Sequence, residues 1–415
     1  MHDVVVIGAG ASGVFFSLIL KDIKPYLDIL ILEKNDKLGK KLLMTGNGRC
    51  NLGNEESSIN NYYSSSKLDK FKIELEIKDF SFLDIMTNGL DSCYNYLNSY
   101  GILIKKEENS SRLYPYSNQA ITVCKSFERA LTERNIKINY NYGVYKVEKK
   151  EDIFIINNEI KCKRLIVATG GKSYPKTGST GDGYGILKSF GHTITKLFPS
   201  LTYLKTNYKY IKDLQGVRAD CIVNLSVDGI IEQQEEGQVQ FTKDSLSGIA
   251  VFNLSRNVSR YINDGKKIKL ILNLVPNYSR FELMDYLKNF YSYKVEDALS
   301  CIINNKLALS ITKELSFNGK FIRQLTKNEL EGLCFCLNNM CFNIIGTGDF
   351  NSAQVTAGGA SLDEFNECLE SLKTNNLYAI GEVVDVDAKC GGYNLTWAFT
   401  SALIAARNIT DKKGI

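Results

Sequence analysis

The chain opens on apolar residues in an unbroken run. Residues 3–7 read Asp-Val-Val-Val-Ile and stop at a glycine, the pattern of a short buried strand. A second run at 28–32 predicts another strand, and the stretch between them predicts a helix, giving a βαβ unit over about residues 3–33. Helical spacing returns over 80–97, with Phe82, Ile85, Met86 and Leu90 on one face, and again over 121–134. Residues 112–119 read as turn-rich, and 137–156 as short strands around Gly143. Residues 164–168 form a buried apolar run that ends in Thr169-Gly170-Gly171.

The pattern then changes. Residues 221–227 and 230–241 flank Asp228-Gly229, a hairpin signal. Another strand is expected at 268–274. Over 279–339 the spacing is helical, as at Phe281, Leu283, Met284 and Leu287, before strands return at 341–346 and 377–380. Gly391-Gly392 leads into a final helix that ends near residue 408. The expected organisation is an α/β nucleotide domain in two pieces, 1–195 and 351–415. Between them lies a β-rich insert at 196–350 with a helical subdomain at about 279–339.

Composition narrows the class. The 415 residues are 44% hydrophobic and carry a net charge of +5, which suits a globular protein with a large core and gives no nucleic-acid signature. The first residues already form a strand, with no charged and apolar leader, and the apolar stretch 395–406 is too short to span a bilayer. Eleven scattered cysteines are expected to be reduced thiols, consistent with a cytoplasmic protein. Cys334, Cys336 and Cys341 have no nearby histidine and fit no common zinc spacing, so no metal is expected. With only His2 and His192 present, Ser/His/Asp and Cys/His catalysis lack material.

Against this background the glycines stand out. Gly8, Gly10 and Gly13, with Ala11 and Ser12 between them, follow the first strand and open the first helix. Glu33 ends the second strand twenty residues after Gly13. This is a dinucleotide fingerprint: Gly8 for a tight turn, Gly10 for approach to a pyrophosphate, Gly13 for helix–strand packing, and Glu33 for ribose hydroxyls. A second glycine loop, 39–51, carries Lys40, Lys41, Thr45, Gly48, Arg49, Cys50 and Asn51. Its cations can neutralise a diphosphate or a reduced flavin. Thr169, Gly170 and Gly171 belong beside the diphosphate. Far along the chain, Gly381, Glu382 and Asp385 follow a strand, and Gly392, Tyr393, Asn394 and Leu395 open the last helix. The N-terminus of that helix suits the flavin edge on which negative charge develops. Two nucleotide-side elements so far apart favour FAD over NAD(P) as the tightly held cofactor.

Several blocks together resemble one family. They are Gly8–Gly13, Thr45-Gly46-Asn47-Gly48-Arg49-Cys50-Asn51, Arg112-Leu113-Tyr114-Pro115-Tyr116-Ser117, Thr177–Tyr184, Thr356-Ala357-Gly358-Gly359 and Gly381–Leu395. The chain resembles the aminoacetone-oxidase/BaiN-type NAD(P)/FAD-dependent oxidoreductases, the YhiN-like flavoproteins. The resemblance implies a Rossmann-like FAD domain of the two-dinucleotide-binding type, a β-rich insert and a small helical domain nested in it. It implies FAD contacts at Gly8, Gly10, Ser12, Gly13, Glu33, Lys34, Arg49, Cys50, Asn51, Val144, Gly170, Gly381, Glu382, Asp385, Gly392, Asn394 and Leu395. One block departs: where the family has Phe-Thr-His-x-Gly-x-Ser-Gly-Pro, this chain has Lys243, Ser245 and Ile249.

The expected activity is flavin N5 hydride transfer, with NADH or NADPH as a transient co-substrate and an unsaturated small molecule as acceptor. An amine oxidase producing peroxide is the alternative. From other classes come an RNA-modifying flavoprotein, suggested by Lys205, Lys209 and Lys212 among Tyr203, Tyr208 and Tyr210, and a non-catalytic flavin-binding protein. No nucleic acid or membrane partner is expected; substrate, catalytic acid and oligomeric state are not legible.

Overall fold

A computed structural model describes residues 1–68 and 93–409. The helix expected over 80–97 lies mostly outside the described residues, with Phe82, Ile85, Met86 and Leu90. Its end, Cys93–Ser99, is helical. The chain divides into two compact units, Met1–Leu197 with Val355–Ile415, and Phe198–Gln354.

The first unit is built on a seven-stranded sheet. Its parallel part runs Lys137–Asn139, Ile29–Leu32, His2–Ile7, Ile160–Val167, Leu377–Ala379. An antiparallel hairpin, Val147–Lys150 and Ile153–Ile156, pairs with the opening residues of Ile160–Val167. Strands such as Ile29–Leu32 are buried on both faces, which is why they read as unbroken apolar runs. Parallel alignment has a direct consequence: the segments after Ile7, Leu32, Asn139, Val167 and Ala379 all leave the same edge of the sheet. The order turns back between His2–Ile7 and Ile160–Val167, the switch point where open α/β sheets bind ligands.

Two local expectations need correction. Arg112–Pro115, read as turn, is a strand between Gly53–Asn54 and Ile104–Lys106; its brevity and terminal proline hid it. Val144, expected in a short strand, lies in the irregular connection before Val147–Lys150.

The second unit is a closed antiparallel barrel of Leu204–Thr206, Ser245–Ser247, Ile230–Phe241, Arg218–Val227, Ile268–Asn273 and Met340–Thr347. Asp228 and Gly229 both have positive φ (49° and 95°), as a two-residue hairpin turn requires. Val223, Leu225, Leu270, Leu272 and Phe342 share one core with Ala250, Val251, Leu254 and Val258 of the helix Ile249–Asn263. Between the last two barrel strands lie four helices, Arg280–Lys288, Val295–Ser300, Asn305–Glu314 and Lys327–Asn338. Two of them begin with capping boxes, Ser279/Glu282 and Thr326/Glu329. The α/β class with a β-rich insert holding helices is thus the architecture found.

Candidate functional site

Three glycines at the first turn do three different jobs. Gly8 has φ +108°, and a Cβ there would stand 2.5 Å from the Ala168 carbonyl oxygen. A Cβ on Gly13 would stand 2.1 Å from the Gly8 oxygen, 3.1 Å from Ala168 Cβ and 3.2 Å from Val6 Cγ1. Packing therefore demands both. Gly10 is different: a Cβ would meet nothing within 4 Å, and its φ of −83° suits any residue. It is the N-cap of Ala11–Ile23, which has no side-chain cap and no acid in its first turn. The first N–H groups of the helix are thus left for an anion outside the chain.

Glu33 is nearly buried and braces this turn. Its carboxylate accepts from Ala9 N and Asn35 N, both at 2.8 Å, and from Asn35 Nδ2 at 2.7 Å. Tyr142 N donates to the Glu33 carbonyl at 2.9 Å, bringing the segment that holds Gly143 and half-buried Val144 to the same edge. Lys34 is paired with Asp182 and Thr180, each at 2.5 Å.

The strand ends Ala168–Gly171 and Gly381–Asp385 interlock. A Cβ on Gly171 would meet Thr356 Oγ1 at 2.5 Å and Glu382 Oε1 at 2.8 Å. Glu382 accepts from Thr356 N at 2.8 Å and from Lys41 Nζ at 2.6 Å. Thr169 sits so close to Gly183 that a Cβ there would lie 2.1 Å from its hydroxyl, and Gly170 takes φ +70°. At Gly381 (φ +72°) a Cβ would lie 2.6 Å from Ser12 Oγ, and its carbonyl accepts from Trp397 Nε1 at 3.1 Å. The first turn of the first helix therefore touches the last strand end, which the last helix holds in turn. Asp385, 2% exposed, binds the backbone N–H and hydroxyl of Ser65.

The last helix, Tyr393–Asn408, starts without a side-chain cap at Gly392, whose φ is +101°. A Cβ on Gly392 would strike Gly53 O at 2.4 Å and Asn51 Oδ1 at 2.7 Å. That Asn51 oxygen is buried with no hydrogen-bond partner among the described residues. Asn394 binds the Ala388 N–H and carbonyl at 2.9 and 3.0 Å, while Leu395 packs on the core.

In the second glycine loop Thr45 Oγ1 caps the Leu42 carbonyl at 2.7 Å, and Gly48 takes φ +83°. Cys50 is fully buried with φ 61°; burial pushes its thiol up to about 12, so it stays protonated. Arg49 stacks 4.0 Å over Tyr114, with Glu107 at 2.8 Å and Asn118 at 3.2 Å. Lys40 pairs with Asp36 at the surface. The structure thus gathers the fingerprint, Glu33, Gly170–Gly171, Gly381–Glu382 and Asn51 with Gly392, whereas the charges of Arg49 and Lys40 already have partners.

A cleft of about 620 Å³, which sequence reasoning missed, lies in this same unit beside Cys390 and Tyr393. Its other walls include Asn54, Lys106, Ser111 and Arg112. The sequence signals were the Arg112–Ser117 block and, within Gly381–Leu395, Tyr393, which was expected at the cofactor.

His192 is buried and stacked 4.5 Å from Phe365, with Nε2 2.8 Å from Ser371 Oγ and Nδ1 3.2 Å from Glu364. Among the cysteines clustered near residue 336, Cys334 is buried while Cys341 is exposed. No group of metal-ligating side chains occurs among the described residues. Nor is any helix there long and apolar enough to cross a membrane.

Strand order, glycine turn and braced acid define a Rossmann-type dinucleotide-binding protein. The family model for the HI0933-like protein Rossmann domain matches residues 2–408, and the chain belongs to that family. The resemblance drawn from the motifs is thereby borne out. The chain is 29% identical over 99% of its length to all of a 3-dehydro-bile acid delta(4,6)-reductase of Clostridium scindens. It is 25% identical, over 99% of its length and 98% of the relative, to a ribosomal RNA dihydrouridine synthase of Escherichia coli K12. Among solved structures, a flavocytochrome c3 fumarate reductase in its open conformation aligns with 98% of this chain and 78% of its own, at a TM-score of 0.45 and 15% identity.

Proposed function

We propose that the chain is an FAD-dependent oxidoreductase that reduces a carbon–carbon double bond conjugated to a carbonyl, with NADH or NADPH as electron donor. The observation that carries the cofactor is the pair of uncapped helix starts, Gly10 and Gly392, tied to one sheet edge through Ser12, Gly381 and Trp397. A single mononucleotide would use one such start; FAD uses two.

When bound, FAD supplies hydride exchange at N5. The residues of the chain bind and orient. Gly10, Ser12 and Gly13 present backbone N–H groups to the diphosphate, while the Gly8 N–H donates to the Leu32 carbonyl at 2.8 Å and shapes the turn. Glu33, fixed by Ala9 and Asn35, keeps lone pairs for ribose hydroxyls, and Val144 flanks the adenine. Gly381–Asp385 and Asn51 hold the ribityl side. The positive end of the last helix, from Gly392 through Leu395, stabilises negative charge at the ring.

The acceptor class is supported by the relatives. A delta(4,6) double bond in a 3-dehydro-bile acid is conjugated to the 3-carbonyl, and the bond lost in forming dihydrouridine is conjugated to the uracil carbonyl. Both named activities reduce one bond type. An RNA uracil is therefore the second reading, favoured by the Escherichia coli relative. The lysine–tyrosine stretch does not add to it: Tyr208 packs 4.8 Å from Phe342, and its hydroxyl is bound to Ser310 and Glu314.

Purified protein should show the yellow oxidised-flavin spectrum. Anaerobic NADH or NADPH should bleach it, and a conjugated enone should restore it. A colourless protein, or bleaching by amines alone, would reject the reading. Restoration by uridine in RNA but by no enone would select the second.

A further inference from the structure

A reduction of this kind needs a proton as well as a hydride, and none of the glycine-built elements supplies one. The cleft beside the last helix does. It is assembled from the antiparallel strands Ile104–Lys106 and Arg112–Pro115, the neighbouring Gly53–Asn54, and the turn that opens the last helix. Asn54 Nδ2 fixes that turn by donating to the Gly391 carbonyl at 3.1 Å.

Two side chains in the cleft are underused by the protein. Tyr393 is only 8% exposed, yet among the described residues its hydroxyl makes no hydrogen bond to the protein; its ring packs edge-on against Tyr62 at 6.2 Å. Arg112 makes no guanidinium hydrogen bond among the described residues. Its ionic neighbour, Glu107, stands at 3.9 Å and gives its other oxygen to Arg49 at 2.8 Å. Lys106, by contrast, is closely paired with Glu55 at 2.5 Å. An unbonded hydroxyl on a nearly buried tyrosine and a loosely held guanidinium in one polar cleft have the chemistry of a proton donor and an oxyanion site.

We propose that Tyr393 and Arg112 are catalytic residues for the carbonyl acceptor, Arg112 binding its oxygen and Tyr393 protonating the carbon next to the carbonyl. This rests on the conjugated-carbonyl reading above. The hydride, which carries both electrons, originates in NADH or NADPH and would be passed on by the bound cofactor. A C–H bond forms at the β-carbon as the π pair shifts to the carbonyl oxygen, where Arg112 holds the charge. That pair returns to form the α C–H bond while the O–H bond of Tyr393 breaks, and water reprotonates the tyrosinate. Burial raises the Tyr393 hydroxyl above its usual range, Glu56 and Cys390 add to the rise, and Arg112 opposes it. The proton is therefore in place at neutral pH.

The test uses the flavin-loaded enzyme with 2-cyclohexenone and a 3-oxo-4-ene bile acid. Calorimetry on the oxidised enzyme reads binding without turnover. Y393F should bind within about threefold of wild type, while kcat falls on the order of 10²–10⁴-fold and its alkaline limb disappears. Arg112→Gln should weaken binding at least about tenfold, with partial recovery in Arg112→Lys, because a charge-assisted contact is lost. Melting temperatures within a few degrees of wild type exclude misfolding; if Arg112→Gln fails to fold, Y393F decides alone. Turnover by Y393F near the wild-type rate, or unchanged binding by folded Arg112→Gln, overturns the proposal and leaves the function standing. Failure of the wild-type enzyme to reduce either enone overturns both.

Discussion

Open turn glycines mark the barrel unit and crowded glycines mark the ligand edge of the nucleotide unit, with Gly248 and Gly348 of the barrel, crowded to 2.2 and 2.1 Å, as exceptions. In the barrel unit Gly216, Gly229, Gly265 and Gly319 all have positive φ (86°, 95°, 74° and 78°), and a Cβ would meet nothing within 4 Å. They are turns, chosen for backbone conformation alone. In the nucleotide unit Gly8, Gly13, Gly171, Gly381 and Gly392 are crowded to between 2.1 and 2.6 Å by backbone or by site side chains. Gly10 belongs to neither kind, needing no special φ and crowding nothing. Gly143, at the same sheet edge beside Val144, also meets nothing within 4 Å. Gly185 and Gly332, inside helices, are equally uncrowded; what sets Gly10 apart is its place as the cap of the first helix at the sheet edge, where open space leaves room for an anion.

The largest expected effect lies in the barrel. Phe342 is fully buried, in ring contact with Tyr208 at 4.8 Å and Phe241 at 5.8 Å. Phe342→Ala should cost about 3–5 kcal/mol in unfolding free energy. Flavin content per folded molecule should stay unchanged, as read by denaturant melts alongside the visible spectrum. Selective loss of flavin at full stability would reverse the roles assigned to the two units.

Next come the glycines themselves. Gly8→Ala meets the Ala168 oxygen and a forbidden φ, and should cost about 3 kcal/mol. Gly10→Ala should leave the melting temperature within about 1 °C, since an uncrowded substitution changes stability little, but weaken FAD binding at least about tenfold. Equal destabilisation by the two variants would erase the distinction.

How much could be read in advance follows the same division. The buried parts of the sheet strands, Val4–Ile7, Ile29–Leu32 and Leu165–Val167, were legible because burial on both faces leaves only apolar residues, whereas the polar start of Ile160–Val167, with Lys161 and Lys163, was not. The glycine turn was legible because its geometry admits few residue types. Strand Arg112–Pro115 was not, since a four-residue run that ends in proline reads as a turn. The cleft it helps build was lost with it, because residues 54, 112 and 393 meet only in three dimensions. Barrel closure was equally hidden: pairing of Leu204–Thr206 with Met340–Thr347 joins residues over 130 positions apart. Nor did local pattern reveal that Arg49 and Lys40 would be paired with Glu107 and Asp36.

The smallest effect tests whether buried polar groups outside the site are only structural. Ser371 Oγ accepts backbone N–H groups from Lys373 at 3.1 Å and Thr374 at 3.0 Å, so its proton points to His192 Nε2. The neutral ring then carries hydrogen on Nδ1 and donates to Glu364. Burial lowers the His192 pKa below 6.5; Glu364 opposes this and Lys373 adds to it. Burial raises Glu364, but the Lys373 ammonium and the Thr193 donors outweigh it and hold the carboxyl at about 2. Both groups prefer their deprotonated forms in the fold, so the unfolded chain binds protons more readily, and stability falls as pH falls. The His192 contribution should fade below about pH 6.5, and that of Glu364 between about pH 4.5 and 2. Melting temperature should drop by about 2–4 °C between pH 7 and 5.5, and His192→Gln should flatten that limb without changing the flavin spectrum. A limb that survives in His192→Gln would assign the titration elsewhere. A spectrum that shifts with it would tie this triad to the cofactor, and the separation between structural and ligand-facing groups in the nucleotide unit would fail.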